Sequence, residues 1–162
     1  GFPKWLAEGR PVTDDPTPPR DRHFTARLDN RLVRSIDDVF GLIDSKREQI
    51  VDARAAGRFR GETPEPRAGL RGGHMPGAFN LPYNELLDPA TGTMLPADKL
   101  AARIAASGID PTKKVTASCG SGVTACVIAL GLYLTGAPDA AVYDGSWTEW
   151  GGRQDTPIVT GA

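Results

Sequence analysis

The sequence predicts an α/β domain of three layers, with a mostly parallel central sheet flanked by helices. Short apolar runs of strand length alternate with amphipathic helical segments along most of the chain, the order that βα units produce. Glycine and proline supply 19 and 14 of the 162 residues, which suits a loop-rich α/β domain and not a helical bundle. No apolar run approaches the roughly 18 residues of a membrane-spanning helix, so the 40% hydrophobic content is expected to build a core.

Gly1–Gly9 carries Phe2, Trp5 and Leu6 and is too apolar for a free tail, so it is expected to be the docked end of a preceding domain. Arg10–Arg20 reads RPVTDDPTPPR; its prolines block helix propagation and strand pairing, which makes it an extended linker. A short internal echo supports a preceding domain of the same type. Trp5 is followed by Pro11-Val12, and Trp150 by Pro157-Ile158. The chain starts at Gly1 without an initiator Met, as the middle of something longer would.

Further along, Ser35 to Asp38 has the form of a capping box, ahead of a helix whose inner face is Ile36, Val39, Leu42 and Ile43. Gln49–Ala53 is a strand, Gly57–Gly73 a long polar loop, and Ala78–Leu81 a strand ended by Pro82. Pro96–Ser107 is a helix with Leu100 and Ile104 inward and Gly108 as its terminator. Lys114–Ser118 is a strand, Val123–Thr135 a helix stopped by Gly136, and Ala141–Tyr143 a further strand. In parallel sheets, ligands bind beyond the carboxyl ends of the strands.

The charges nearly cancel, 19 Lys and Arg against 20 Asp and Glu, so no basic face exists to hold a phosphate backbone and no nucleic-acid partner is expected. Cys119 and Cys126 are too few for a disulfide framework, and His23 and His74 stand far from them, which leaves no zinc spacing. A reducing, cytoplasmic setting with no membrane contact, no metal and no organic cofactor is the expectation.

The rule for parallel sheets points at one place. Strand Lys114–Ser118 runs into Cys119-Gly120-Ser121-Gly122-Val123-Thr124-Ala125 and then into a helix. The two glycines let consecutive N–H groups curl around the Cys119 sulfur, and the helix N-terminus adds partial positive charge from the same side. Both favour thiolate over thiol, which makes Cys119 a candidate nucleophile. Cys126, among Val127, Ile128, Leu130 and Leu132, is expected to pack as a small hydrophobe. A phosphatase loop would need Arg as the sixth residue after the cysteine and His before it. Ala125 and Ser118 stand there, so the bidentate fork for phosphate is missing.

The loop CGSGVTA, with VDARAAGRFRG before it, GHMPGAFNLP between and YDGSW after, resembles the C-terminal, catalytic domain of the tandem rhodanese sulfurtransferase family, closest to its 3-mercaptopyruvate branch. The resemblance runs from about Phe24 to Trp150. It implies a rhodanese-like fold for residues 24–162, with residues 1–23 as the end of the first rhodanese domain plus linker. It also implies a ping-pong cycle. Cys119 attacks the donor sulfur, pyruvate leaves, and the Cys119 persulfide is discharged to cyanide or to a thiol, either a low-molecular-weight thiol or a reduced thioredoxin-like protein.

In this picture the loop from Gly120 through Ser121, Gly122 and Val123 to Thr124 cradles the anionic persulfide. Arg58 and Arg67 match the family's substrate arginines and would hold the donor's carboxylate and keto oxygen. Ser121 would relay a proton with a His and an Asp of the N-terminal domain. Thiosulfate-specific members carry cations just after the cysteine; Ser121 and Gly122 stand here, which suits mercaptopyruvate. A thiosulfate sulfurtransferase and a persulfide relay without turnover of its own remain as alternatives. His74, in the turn Gly73–Gly77, reads as structural, Asp52 and Asp144 as loop anchors, and Trp147 and Trp150 as hydrophobic anchors for the chain end.

Overall fold

A computed structural model describes residues 1–137 and 140–161. Strands β1 (Val33–Arg34), β2 (Gln49–Asp52), β3 (Phe79–Asn80), β4 (Val115–Ser118) and β5 (Ala140–Tyr143) form one sheet in the order β1-β5-β4-β2-β3. Every neighbouring pair is parallel, so each connection must cross over a face of the sheet. Helices α2 (Ile36–Ser45), α4 (Ala97–Ala106) and α5 (Ala125–Leu134) make crossovers. From β2 the chain moves outward to β3, then returns to the opposite side of β2 to lay down β4 and β5. The carboxyl ends of β2 and β4 therefore flank the point where winding reverses, with Asp52 beside Ser118. That is where such sheets open a crevice.

Strand alternation divides the interior into two cores. Val51, Val115 and Ala117 face one side and pack with Leu81, Leu86, Leu100, Ile104, Ile128 and Leu132 beneath α4 and α5. Ile50 and Tyr143 face the other, with Val39, Leu42, Met75, Trp147 and Trp150 beneath α2 and α6 (Ser146–Trp150). The capping box is formed. Ser35 Oγ accepts from Asp38 N at 3.2 Å, and Ser35 N donates to Asp38 Oδ2 at 2.8 Å. Leu100 and Ile104 point inward from α4, and Gly108 follows in the left-handed region at φ +81°.

Three details differ from the sequence expectation. β1 is a two-residue strand, too short to leave a periodic signal. The loop expected over Gly57–Gly73 begins as helix α3 (Ala56–Phe59), because Phe59 turns inward and is buried. Helix α5 starts at Ala125 instead of Val123, because residues 120–124 are consumed in the turn around Cys119.

Helix α1 (Phe2–Ala7) is unburied, with Phe2 61% and Leu6 51% exposed. Its end repeats a local device found at the end of α6. Trp5 Nε1 donates to Pro11 O at 3.0 Å, and Trp150 Nε1 donates to Pro157 O at 2.9 Å. Among the described residues, no helix is long and apolar enough to cross a membrane.

Candidate active site

The crevice between β2 and β4 is a cleft of about 600 Å³ lined by Ala53, Arg54, Arg58, Glu65, Arg67, Tyr83, Cys119, Ser121, Val123, Thr124 and Thr148, among others. A larger groove of about 960 Å³ lies among Arg34, Glu48 and Lys114, at the start of β2 and β4, and neither cysteine lines it. The chemistry is in the smaller one.

Cys119 is 1% exposed at the carboxyl end of β4. Burial pushes its thiol up. The Thr124 hydroxyl and the N–H groups of Ser121, Ala125 and Thr124 more than reverse this, and the net pKa lies below that of an ordinary cysteine. These donors can converge because the strip from Ser146 to Thr148 takes the loop's other polar groups. Ser146 Oγ accepts from Cys119 N at 3.1 Å and from Gly122 N at 3.0 Å, and donates to Tyr143 O at 2.8 Å. Trp147 N donates to Cys119 O and Thr148 N to Gly120 O, each at 2.9 Å. The carbonyls thus turn toward α6, away from the sulfur. The N–H of Gly122 is occupied by Ser146 and does not face the sulfur; the contribution of Gly122 is conformational. It sits at φ +82°, and a Cβ there would lie 2.8 Å from Asp144 Oδ1 and 2.9 Å from Asp144 O.

Arg58 reaches the site from the last turn of α3. A Cβ on Gly120 would sit 3.2 Å from its Nη2, so the guanidinium lies directly against the cysteine loop. Glu65 fixes it there, accepting from Nε at 3.2 Å and Nη2 at 2.5 Å. The side chain of Glu65 is 1% exposed and also accepts from Arg54 Nη1 at 2.7 Å. Arg54 in turn grips Asp52 through Nη2 at 2.6 Å and stacks on the Trp147 ring, its guanidinium carbon 4.0 Å from the centroid. The result is an alternating chain of buried charge, Asp52–Arg54–Glu65–Arg58, whose only open end is Arg58 at the cleft. Within it every charge has its partner.

Arg67 comes from the loop after α3 and donates through Nη1 to Thr148 Oγ1. Cys119, Ser121, Arg58 and Arg67 therefore meet in one cleft, as do the main chains of Gly120, Val123 and Thr124.

With this geometry in view, the comparisons become specific. A rhodanese-like domain model matches residues 35–153. The chain belongs to the rhodanese family. This rhodanese domain is 42% identical over 150 residues to rat 3-mercaptopyruvate sulfurtransferase, covering 93% of this chain and 50% of the relative. It is 46% identical over 151 residues to bovine thiosulfate sulfurtransferase, with the same coverage. In structure it is similar to SseA from Escherichia coli, described as showing the rhodanese fold and catalytic mechanism of 3-mercaptopyruvate sulfotransferases. The TM-score is 0.75 at 34% identity, covering 91% of this chain and 54% of that one. The chain spans about half the length of the curated relatives it matches.

His74 is buried, donates from Nδ1 to Phe59 O at 2.8 Å and stacks on the Phe59 ring, outside the cleft lining. Asp52 is locked to Arg54, and Trp147 and Trp150 fill the core. Cys126 is a correction. It was expected to pack as a small hydrophobe, yet it is exposed on the outer face of α5, its Sγ 3.5 Å from Gly122 O. The helix is apolar on every side, so periodicity carries no sign of which face is inward. Sequence reasoning also missed Ser146, Thr148 and Glu65. Ser146 stands inside the quoted YDGSW motif, and its left-handed φ of 50° is invisible to composition. Glu65 offered only the faint signal of an acid among arginines.

Proposed function

We propose that this rhodanese domain is the catalytic half of a tandem sulfurtransferase that moves sulfane sulfur from 3-mercaptopyruvate to a thiol or cyanide. The observation that carries the reading is Cys119, its thiol held below the ordinary range by loop donors, in a cleft that also holds two arginines. The Cys119 thiolate attacks the donor's thiol sulfur, the carbon–sulfur bond breaks, and its electron pair goes to the carbon that becomes the methyl group of pyruvate after protonation. The Cys119 persulfide then loses its outer sulfur to the acceptor and returns to thiolate. Arg58 and Arg67 offer the donor's carboxylate and keto oxygen planar donors. Ser121, exposed at the mouth, is where a proton could be relayed by groups from a preceding domain.

The neutral loop at Ser121 and Gly122 favours a donor whose transferred sulfur carries no strong charge of its own. A thiosulfate donor is the second reading, supported by the 46% identity to the bovine thiosulfate enzyme. The repeated Trp–Pro link supports residues 1–23 as the end of a preceding domain of the same kind plus linker. The reading includes thiol acceptors, cytoplasmic setting and contact with that preceding domain as its partners and place. The test is intact-mass detection of one added sulfur after exposure to 3-mercaptopyruvate, with thiosulfate in parallel and Cys119→Ser as control. Preferential loading from mercaptopyruvate supports the reading. Preferential loading from thiosulfate moves it to the second, and loading of the Cys119→Ser variant defeats both.

A further inference from the structure

We propose that Thr148 is a positioning residue that holds Arg67 at the cleft and thereby sets a preference for keto-acid donors over thiosulfate. The inference rests on the reading of the chain as a sulfurtransferase, and it starts from a difference between the two arginines. Arg58 is gripped along one edge by Glu65, and within the chain Asp52–Arg54–Glu65–Arg58 the two carboxylates balance the two guanidiniums. Arg67 is exposed and, among the described residues, takes part in no ion pair. It therefore supplies the net positive charge at the mouth, and a long side chain on an exposed loop needs something to hold it there.

Thr148 is that holder. Its hydroxyl donates to Gly120 O at 2.6 Å, which aims its lone pairs outward, and Arg67 Nη1 donates to the same oxygen. Because the backbone N–H of Thr148 also donates to Gly120 O at 2.9 Å, the hydroxyl is fixed relative to the cysteine loop. One side chain thus ties the exposed arginine to the segment that carries the nucleophile. A single uncompensated guanidinium matches the lone carboxylate of a keto acid. A dianion with no keto oxygen gains less from that geometry.

The substitution Thr148→Val removes the hydroxyl at constant shape and leaves the backbone bond to Gly120 in place; Thr148→Ser keeps the hydroxyl. With the full chain and 3-mercaptopyruvate, Thr148→Val should raise KM about tenfold, the worth of one hydrogen bond to a charged group, with the effect in KM and not in kcat. Thr148→Ser should restore it, and kcat/KM for thiosulfate should fall by less than threefold. Equal losses with both donors would mean that Thr148 acts only on the cysteine loop, and would overturn the proposal. So would a Thr148→Val variant that matches wild type while wild type is active. A wild-type chain that turns over no mercaptopyruvate would instead overturn the function on which the proposal rests, and the proposal with it.

Discussion

Replacing Ser146 with Ala tests whether the sulfur cradle is held from behind. Ser146 is fully buried, and one hydroxyl serves the N–H groups of Cys119 and Gly122 and the carbonyl of Tyr143. Alanine leaves two buried donors without their acceptor. Each unsatisfied buried polar group costs about 1–3 kcal/mol, and the space vacated by one oxygen is too small to admit water. A loss of about 3 kcal/mol or more follows, against a total stability of roughly 5–15 kcal/mol for a domain of ordinary size. With a urea slope of about 2 kcal/mol/M, the midpoint falls by about 1.5 M. The freed amides also reorient, so the donors to the Cys119 sulfur loosen and its pKa rises. Trp147 and Trp150, buried beside Ser146 in the same helix, report unfolding by fluorescence. The rate of iodoacetamide alkylation against pH reports the thiol, in a Cys126→Ser background because Cys126 is exposed. A Ser146→Ala variant destabilised by less than about 1 kcal/mol, with an unchanged alkylation profile, would refute the reasoning.

Gly122→Ala should cost about 2 kcal/mol or more, because alanine at φ +82° carries the left-handed penalty and its Cβ meets Asp144 backbone that cannot give way; thermal melts and persulfide loading should fall together. Glu65→Gln breaks a buried pair on both sides and should destabilise by about 3 kcal/mol. It should also raise the donor KM, since Arg58 loses its tether; an unchanged KM would show that Arg58 does not bind donor. The pH dependence of stability follows from the lowered Cys119 pKa. A depressed acid contributes stability that is fully present above the unfolded-state value of about 8.5 and is lost as pH falls through the folded value. Wild type should therefore gain stability over Cys119→Ser as pH rises through that window, and parallel curves would contradict a stabilised thiolate.

The fold was legible where periodicity and turn chemistry agreed. The capping box at Ser35, the inward pair Leu100 and Ile104, and the buried strands ending at Asp52 and Ser118 each follow from residue type and spacing. What escaped had no such signal. β1 is two residues long, and α3 is a single turn set by the tertiary burial of Phe59. In α5 the exposed Leu130 and Leu134 are as apolar as the buried Ile128 and Leu132, so residue type could not reveal that Cys126 faces outward.

The site divides along a different line. Cys119, Arg58 and Arg67 carry chemistry in their side chains and stand in recognisable motifs, so they could be named from residue type and resemblance. Ser146, Thr148 and Glu65 work by holding something else in place: loop amides, a loop carbonyl and a guanidinium. Their partners are up to 81 residues away or face them only after two strands have been laid side by side. Thr148 is in contact with Arg67 across 81 residues of chain and Ser146 with Cys119 across 27. No local spacing rule reaches that far. The parallel register that sets Asp52 beside Ser118 converts a readable nucleophile and readable arginines into a cleft, and the unread residues fix the angle at which they meet. A thiolate stabilised by amides is only as good as the orientation of those amides, so much of the site's chemistry rests on groups that never touch the sulfur's substrate.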